Sequence, residues 1–301
     1  MVELDDVRAF VEVVEAGGFS RAGERLGISK SLLSRRLARL EAQLGVPLLA
    51  RTTRGVSITD AGSRFKPHAD RMVAEMQAGI DAITAGCGAS GLLRIAAPLS
   101  FGLTHLAPLL AELALAHPQL EIRTSYSDRH VDIVGEGYDV AVRLGHLPDS
   151  SLVARRIGPV HGVFVASPAY LVKAPPLEKP EDLERHAAVH QGDEVWRLRD
   201  GEREVAVRPR GRFVADNGQA LLTAVVAGLG VGRLPAFLAG PAIGRGELVY
   251  LLPGYPIPEA SLYLLRPPPA AQMPTKIRVL MDALVERFGR DRSWEGCPNT
   301  R

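Results

Sequence analysis

With 301 residues, 46% hydrophobic and 23% charged, the chain has the composition of a globular protein and exceeds what one hydrophobic core usually organises. A formal net charge of only +2 excludes nucleic-acid binding through a generally basic surface, so any such binding requires a local patch. Cys87 and Cys297 lack CxxC spacing, which argues against a disulfide framework or a cysteine zinc site and fits a reducing cytoplasm. Met1 to Phe10 does not read as a signal peptide, and no run approaches about 18 uninterrupted apolar residues, so no membrane partner is expected.

In chain order, Leu4, Val7, Phe10, Val11 and Val14 recur at helical spacing and predict a first helix that stops at Gly17-Gly18. A short second helix opens at Phe19-Ser20, with Ser20 as the expected N-cap, and leaves through Gly27. Ser29 caps a third helix whose Leu33, Leu37, Leu40 and Leu44 form one apolar stripe before Gly45-Val46-Pro47. The opposite face carries Ser31, Arg35 and Arg39, flanked by Ser34 and Arg36. Between Ser29 and Arg54 there are six basic residues against one acid, Glu41. Such a face suits a recognition helix in the major groove, where arginines read guanine edges or phosphates; taken alone it equally suits a solvated helix. Residues 46–59 then form two short alternating runs around a basic turn, the pattern of a two-stranded wing.

The stretch FVEVVEAGGFSRAGERLGISKSLLSRRLARLEAQLGVPLLARTTRGVSITDAG, from Phe10 to Gly62, resembles the DNA-binding module of LysR-type transcriptional regulators. The resemblance implies a winged helix-turn-helix over residues 1–60, with the helix-turn-helix at about 19–38. It implies DNA contacts from Ser29, Lys30, Ser31, Ser34, Arg35, Arg36, Arg51, Thr53 and Arg54. Lys30 departs from the family where a proline is common at the first helical turn; lysine gives up rigidity and adds a phosphate contact.

Residues 61–90 read as a linker helix and hinge, with Asp60 as the expected cap. Phe65, Ala69, Met72, Met76, Ile80 and Ile83 form a heptad-like stripe. The stripe suits pairing with a second copy or packing on its own domain, and the resemblance favours a homodimer or homotetramer. Pro67 predicts a kink or a delayed helix start. Cys87 has neither a resolving cysteine nor a basic activator nearby, so it reads as a bystander thiol.

From residue 91 strands and helices alternate, predicting a two-lobed α/β domain with lobe I at about 91–160 and 266–290 and lobe II at about 161–265. Expected helices include 100–117, a short one near Val131, and 217–227. The segments SDRHVDIVGEGYDVAVRLGHLPDSSLVARRIGPVHGVFVASPAYL and NGQALLTAVVAGLGVGRLPAFL resemble the periplasmic-binding-protein-like effector domain of the same family. Ser100, Phe101 and Thr104 stand where a strand passes into a helix, a place for a carboxylate or an ordinary helix cap. Arg143 and His146 follow another strand end, and Asn217-Gly218 open a helix of the facing lobe. Trp196 could stack on an aromatic effector or pack in the core.

The glycine run 228–232 follows a helix, the wrong order for a dinucleotide fingerprint. His186 and His190 lack a third ligand and an HExxH glutamate, and GxSxG and Walker patterns are missing from the sequence, so neither a metal, a cofactor nor an enzyme is expected. The expected function is sequence-specific regulation of transcription at a pseudo-palindromic double-stranded operator, modulated by a small carboxylate or aromatic effector. A periplasmic-type binding protein, a small-molecule enzyme and an architectural DNA-binding protein are the competing classes.

Overall fold

A computed structural model describes residues 1–52, 55–83, 88–145, 147, 152–268, 273–289 and 294; side chains at 51, 52, 55, 77, 78 and 81–83 lie outside that description. The expectations for Thr53, Arg54, Cys87 and His146, and for the side chains of Arg51 and Ile83, therefore fall outside the described residues.

The chain opens with α1 (Leu4–Ala16), α2 (Phe19–Leu26) and α3 (Lys30–Leu44). Each ends on a glycine with positive φ, Gly17 at 67°, Gly27 at 64° and Gly45 at 72°, a conformation a side chain would strain. Val7, Phe10, Val13, Leu33, Leu37 and Leu40 close the core of this unit. Strands β1 (Leu49–Thr52) and β2 (Gly55–Ile58) pair antiparallel as a wing. Helix α4 (Asp60–Ile83) follows directly.

Two local expectations change. Ser20 lies inside α2, whose N-cap is Gly18, and no side chain caps that end. Thr59, not Asp60, caps α4: its Oγ1 accepts from the Gly62 N–H at 3.0 Å. Gly62 is fixed by contact, since a Cβ there would lie 2.1 Å from the Leu48 carbonyl oxygen. Helix α4 runs through Pro67 without the expected delayed start.

The second unit begins with β3 (Gly91–Ala97) and a helical run made of α5 (Leu99–Phe101), a wide turn at Gly102–Leu106 and α6 (Ala107–Ala116). The Ala107 N–H reaches the Gly102 carbonyl, a five-residue step that widens the helix. Among the described residues this Leu99–Ala116 run is the one helix long and apolar enough to cross a membrane. Its Phe101, Leu106, Leu109, Leu110 and Leu113 are instead buried in the protein core.

Strands β4 (Leu120–Tyr126), β5 (Val140–Gly145) and β6 (Val153–Val160) follow; turns occupy 133–137, and the helix expected near Val131 is not formed. The chain then crosses into β7 (Gly162–Ala166), α7 (Pro168–Leu171), β8 (Ala188–His190), β9 (Trp196–Asp200), β10 (Arg203–Val207), β11 (Phe213–Val214), α8 (Gly218–Val226), β12 (Val231–Pro235), α9 (Ala236–Gly244) and β13 (Val249–Leu251). It returns through β14 (Ala260–Arg266) and α10 (Thr275–Phe288).

Two five-stranded sheets result, ordered β4-β3-β5-β14-β6 and β11-β8-β12-β7-β13, with β9-β10 as a separate hairpin. Strand β14 pairs with β5 and β6, so residues 260–266 return to lobe I and lobe II ends before 260. The lobes are joined at 160–162 and again between β13 and β14, the double crossing that leaves a cleft between two sheets.

Candidate nucleic-acid interface and ligand cleft

Helix α3 is built with one side inward and one outward. Leu33, Leu37 and Leu40 are buried, and Ser29, Lys30, Ser31 and Arg35 are exposed. Ser29 accepts from the Leu32 N–H at 3.2 Å and so fixes the start of the helix. Ser34 and Arg36 are half-buried.

The arginines divide into two sets. Arg39 forms a two-pronged bond to Asp6 of α1 at 2.6 and 2.7 Å and also reaches Glu3 at 2.7 Å. These acids raise its already high pKa, through the hydrogen bond to Asp6 first. Arg36 donates to Asp5 at 2.7 Å, which ties it to α1 as well. Arg35 makes no ion pair among the described residues. Glu41, the one acid of the basic stretch, accepts from the Leu48 and Leu49 N–H groups at 2.7 and 3.0 Å and holds the wing in place. The first helix thus braces two arginines of α3, while Arg35 and Lys30 remain on its open side.

The linker stripe divides too. Phe65 packs on Phe10 with ring centres 5.6 Å apart, and Ala69 is fully buried in the same core. Both therefore pack into the chain's own DNA-binding unit. Met72 and Ile80 are 46% and 43% exposed, and Met76 lines a space between α4 and lobe I.

Between the lobes lies a cavity of about 450 Å³. Ser100, Arg143 and Gly218 line it, as expected; Arg233, His130 and Asp128 join them and were missed. The Ser100 Oγ and the Arg233 Nε are buried without a hydrogen-bond partner among the described residues, while the Arg233 Nη1 donates to Glu194 at 3.4 Å. Arg143 donates to the Arg129 carbonyl at 3.0 Å, and burial pushes its pKa down. Asp128 is fully engaged: it accepts from the Leu99 N–H at 2.9 Å and from the Asn217 Nδ2 at 2.8 Å. That second bond runs from lobe I to lobe II. Asn217 thus bridges the lobes and caps α8: its Oδ1 also accepts from the Gln219 and Ala220 N–H groups.

Three expected cleft residues are elsewhere. Phe101 is fully buried among Phe237, Phe288 and Trp294, because one step past Ser100 the helix turns its side chain inward. Thr104 is exposed and donates back to the Ser100 carbonyl at 2.9 Å. Trp196 is 1% exposed and packs edge-on to Phe164 in the core of lobe II, the second of its two readings. Arg233 had a faint signal in the sequence, standing just beyond the glycine run in a short apolar strand.

A winged helix-turn-helix with an open basic helix, joined to a two-lobed domain with a polar-tipped cleft, defines a ligand-responsive DNA-binding protein. The family model "Bacterial regulatory helix-turn-helix protein, lysR family" matches residues 4–63, and "LysR substrate binding domain" matches residues 86–289. The chain is 38% identical over 296 residues to the HTH-type transcriptional regulator PtxR of Pseudomonas aeruginosa, covering 96% of this chain and 94% of that protein. It is 32% identical to the transcriptional activator AaeR of Escherichia coli, with the same coverage. Among solved structures it resembles CrgA of Neisseria meningitidis, with a TM-score of 0.60 at 30% identity, covering 95% of this chain and 99% of that one. It also resembles full-length AphB of Vibrio cholerae, with a TM-score of 0.58 at 30% identity and the same coverage.

The chain belongs to the LysR family of transcriptional regulators. It is a DNA-binding regulator with an effector-binding domain, and its curated relatives are named as regulators rather than enzymes. LysR-type regulators bind DNA and small-molecule effectors and act as oligomers.

Proposed function

We propose that α3 enters the major groove of a pseudo-palindromic operator, with Lys30, Ser31 and Arg35 as its contacts, and that a dimer or tetramer presents two or more such helices. The open, unpaired position of Arg35 beside the braced Arg36 and Arg39 supports this reading. In a dimer, Met72 and Ile80 of α4 face the second copy. The wing residues Arg51, Thr53 and Arg54 are assigned to phosphate contacts through the family pattern alone.

The effector in this reading is a small molecule with an apolar body and one acidic group, recognised in the cytoplasm without a cofactor. The carrying observation is that two arginines, Arg143 and Arg233, line a single cavity together with Ser100, Arg233 being held from behind by Glu194 at 3.4 Å. Arg143 adds charge there, and Leu144, Leu221 and Phe237 supply apolar walls. Asp128 and Asp216 also line the cavity and oppose an anion, so in this reading the acidic group is held by Arg143 and Arg233. No catalytic residue is assigned. A ligand alters DNA binding only if it binds two arrangements of the dimer unequally.

The test is a thermal-shift screen of small carboxylic acids against their amides, on the native chain and on Arg233→Gln. Acids that stabilise the native chain, lose their effect in the variant and have inactive amides support the assignment. Equal stabilisation by acid and amide contradicts it.

A further inference from the structure

Helix α1, helix α4 and lobe I meet over a buried set of charges. Glu15 of α1 has a side chain only 5% exposed. It accepts from Arg94 of β3, from Arg123 of β4 at 2.7 Å and from Lys66 of α4 at 3.3 Å. Lys66 also donates to Asp70, one helical turn on, at 2.6 and 2.8 Å, and Arg94 lies 3.6 Å from the same carboxylate. On the lobe I side Asp139 accepts from the Arg94 backbone N–H and from Lys276 of α10, both at 2.8 Å. Burial pushes Asp70 up and Arg94 down, as expected where water is excluded from a charged contact.

Buried ion pairs contribute little net stability, because the cost of desolvation offsets their attraction; their attested use is to fix one arrangement among several. Glu15 fills that role here, since one carboxylate from the DNA-binding unit satisfies two arginines of the effector domain. The placement on the sheet adds a reason to read the contact as regulatory. Strands β3, β4 and β5 are parallel or share parallel neighbours. Arg94 and Arg123 stand at the middle of β3 and β4 and Asp139 just before β5, while Ser100 and Asp128 follow the ends of β3 and β4 on the cleft and Arg143 lies within β5. Strands β3 and β4 each carry a docking arginine at mid-strand and lead within a few residues into a cleft residue.

We propose that Glu15, Lys66, Asp70, Arg94 and Arg123 form an ionic latch that docks the DNA-binding unit onto lobe I of its own chain and sets the angle at which α3 is presented to DNA. The latch is independent of which ligand fills the cleft. Opening it frees the DNA-binding unit to swing on α4 without disturbing either hydrophobic core, since Glu15 lies outside both.

The experiment compares the full chain with Glu15→Gln, Arg123→Gln and the double variant, using small-angle X-ray scattering and, in parallel, affinity for a promoter fragment that the native chain protects. Arg156→Gln, which removes bonds to Ser261 and Glu259 internal to lobe I, is the control for simple destabilisation. Each single variant is expected to enlarge the radius of gyration with its circular dichroism spectrum unchanged, and to shift DNA affinity by about threefold or more. The double variant is expected to go no further than the larger single one, because both remove the same contact. Should Glu15→Gln fail to fold, Arg123→Gln, on the partly exposed side, still decides the question. Unchanged scattering in Arg123→Gln, or effects that simply add, overturns the latch. The scattering result does not depend on DNA or effector, so it stands apart from the proposed function.

Discussion

Replacing Arg35 by alanine separates recognition from folding. The side chain is exposed on the face of α3 opposite Leu33, Leu37 and Leu40 and makes no ion pair among the described residues, so its removal deletes no internal contact. Surface changes of that kind move stability by about 0.5 kcal/mol or less. If Arg35 reads a base edge, specific binding weakens by about 1 to 3 kcal/mol, the scale of a good bidentate contact, or about 5- to 150-fold in Kd. Arg39→Ala predicts the reverse pattern, because Asp6, fully buried, loses its two-pronged partner and α1 loses its brace on α3. The assay is a paired one: thermal melting of each variant, and gel-shift titration on operator and scrambled DNA at one fixed salt concentration. The reasoning is refuted if Arg35→Ala binds operator like the native chain, or if it weakens operator and scrambled DNA equally, which would make Arg35 a phosphate contact.

Gly218→Val should block the cleft: a Cβ at this position already stands 3.2 Å from the Ser100 Oγ and 3.0 Å from Leu238. A loss of about tenfold or more in affinity for any acid found in the thermal-shift screen is expected, with the unliganded melting temperature lowered by the crowding against Leu238 and the affinity therefore compared below the transition. Met72→Asp should lower the association constant of the dimer in analytical ultracentrifugation, because Met72 is 46% exposed on α4; an unchanged constant removes it from the interface. His105, set among Phe101, Phe237, Phe288 and Trp294 with its Nε2 unpartnered, is held by burial below its ordinary pKa of 6.5. The unfolded chain therefore binds this proton more readily, so stability is lost as pH falls below about 6.5. His186 shifts the same way, so His105→Phe should flatten, without abolishing, the fall in melting temperature between about pH 7 and 5.

The fold was legible where it is written in local periodicity. The leucine stripe of α3, its Ser29 cap and the three glycine exits all follow from spacing and backbone preference, and they place the recognition helix before any tertiary contact is known. What was not legible depends on partners distant in sequence. Arg35, Arg36 and Arg39 look alike in the sequence, yet two of them are bound to acids more than 30 residues earlier. Glu15 and Arg123 are 108 residues apart, and no pattern around either announces their contact. Phe65 and Ala69 fit a heptad as well as a core, because one apolar stripe serves either partner. In the cleft, Ser100 was found from its strand-to-helix position, whereas Phe101 and Thr104 depended on the phase of a helix that widens by one residue at 102–106. Trp196 was undecidable from composition and is settled by its burial against Phe164.

The most direct measurement is a footprint of the purified chain on the DNA immediately upstream of its own coding region, at physiological salt with excess nonspecific competitor. Protection of a pseudo-palindromic site, with half-sites about one helical turn or a multiple of it apart, is the predicted result. Absence of selective protection there and across other promoter fragments would contradict the assignment of α3 as a recognition helix acting in a dimer.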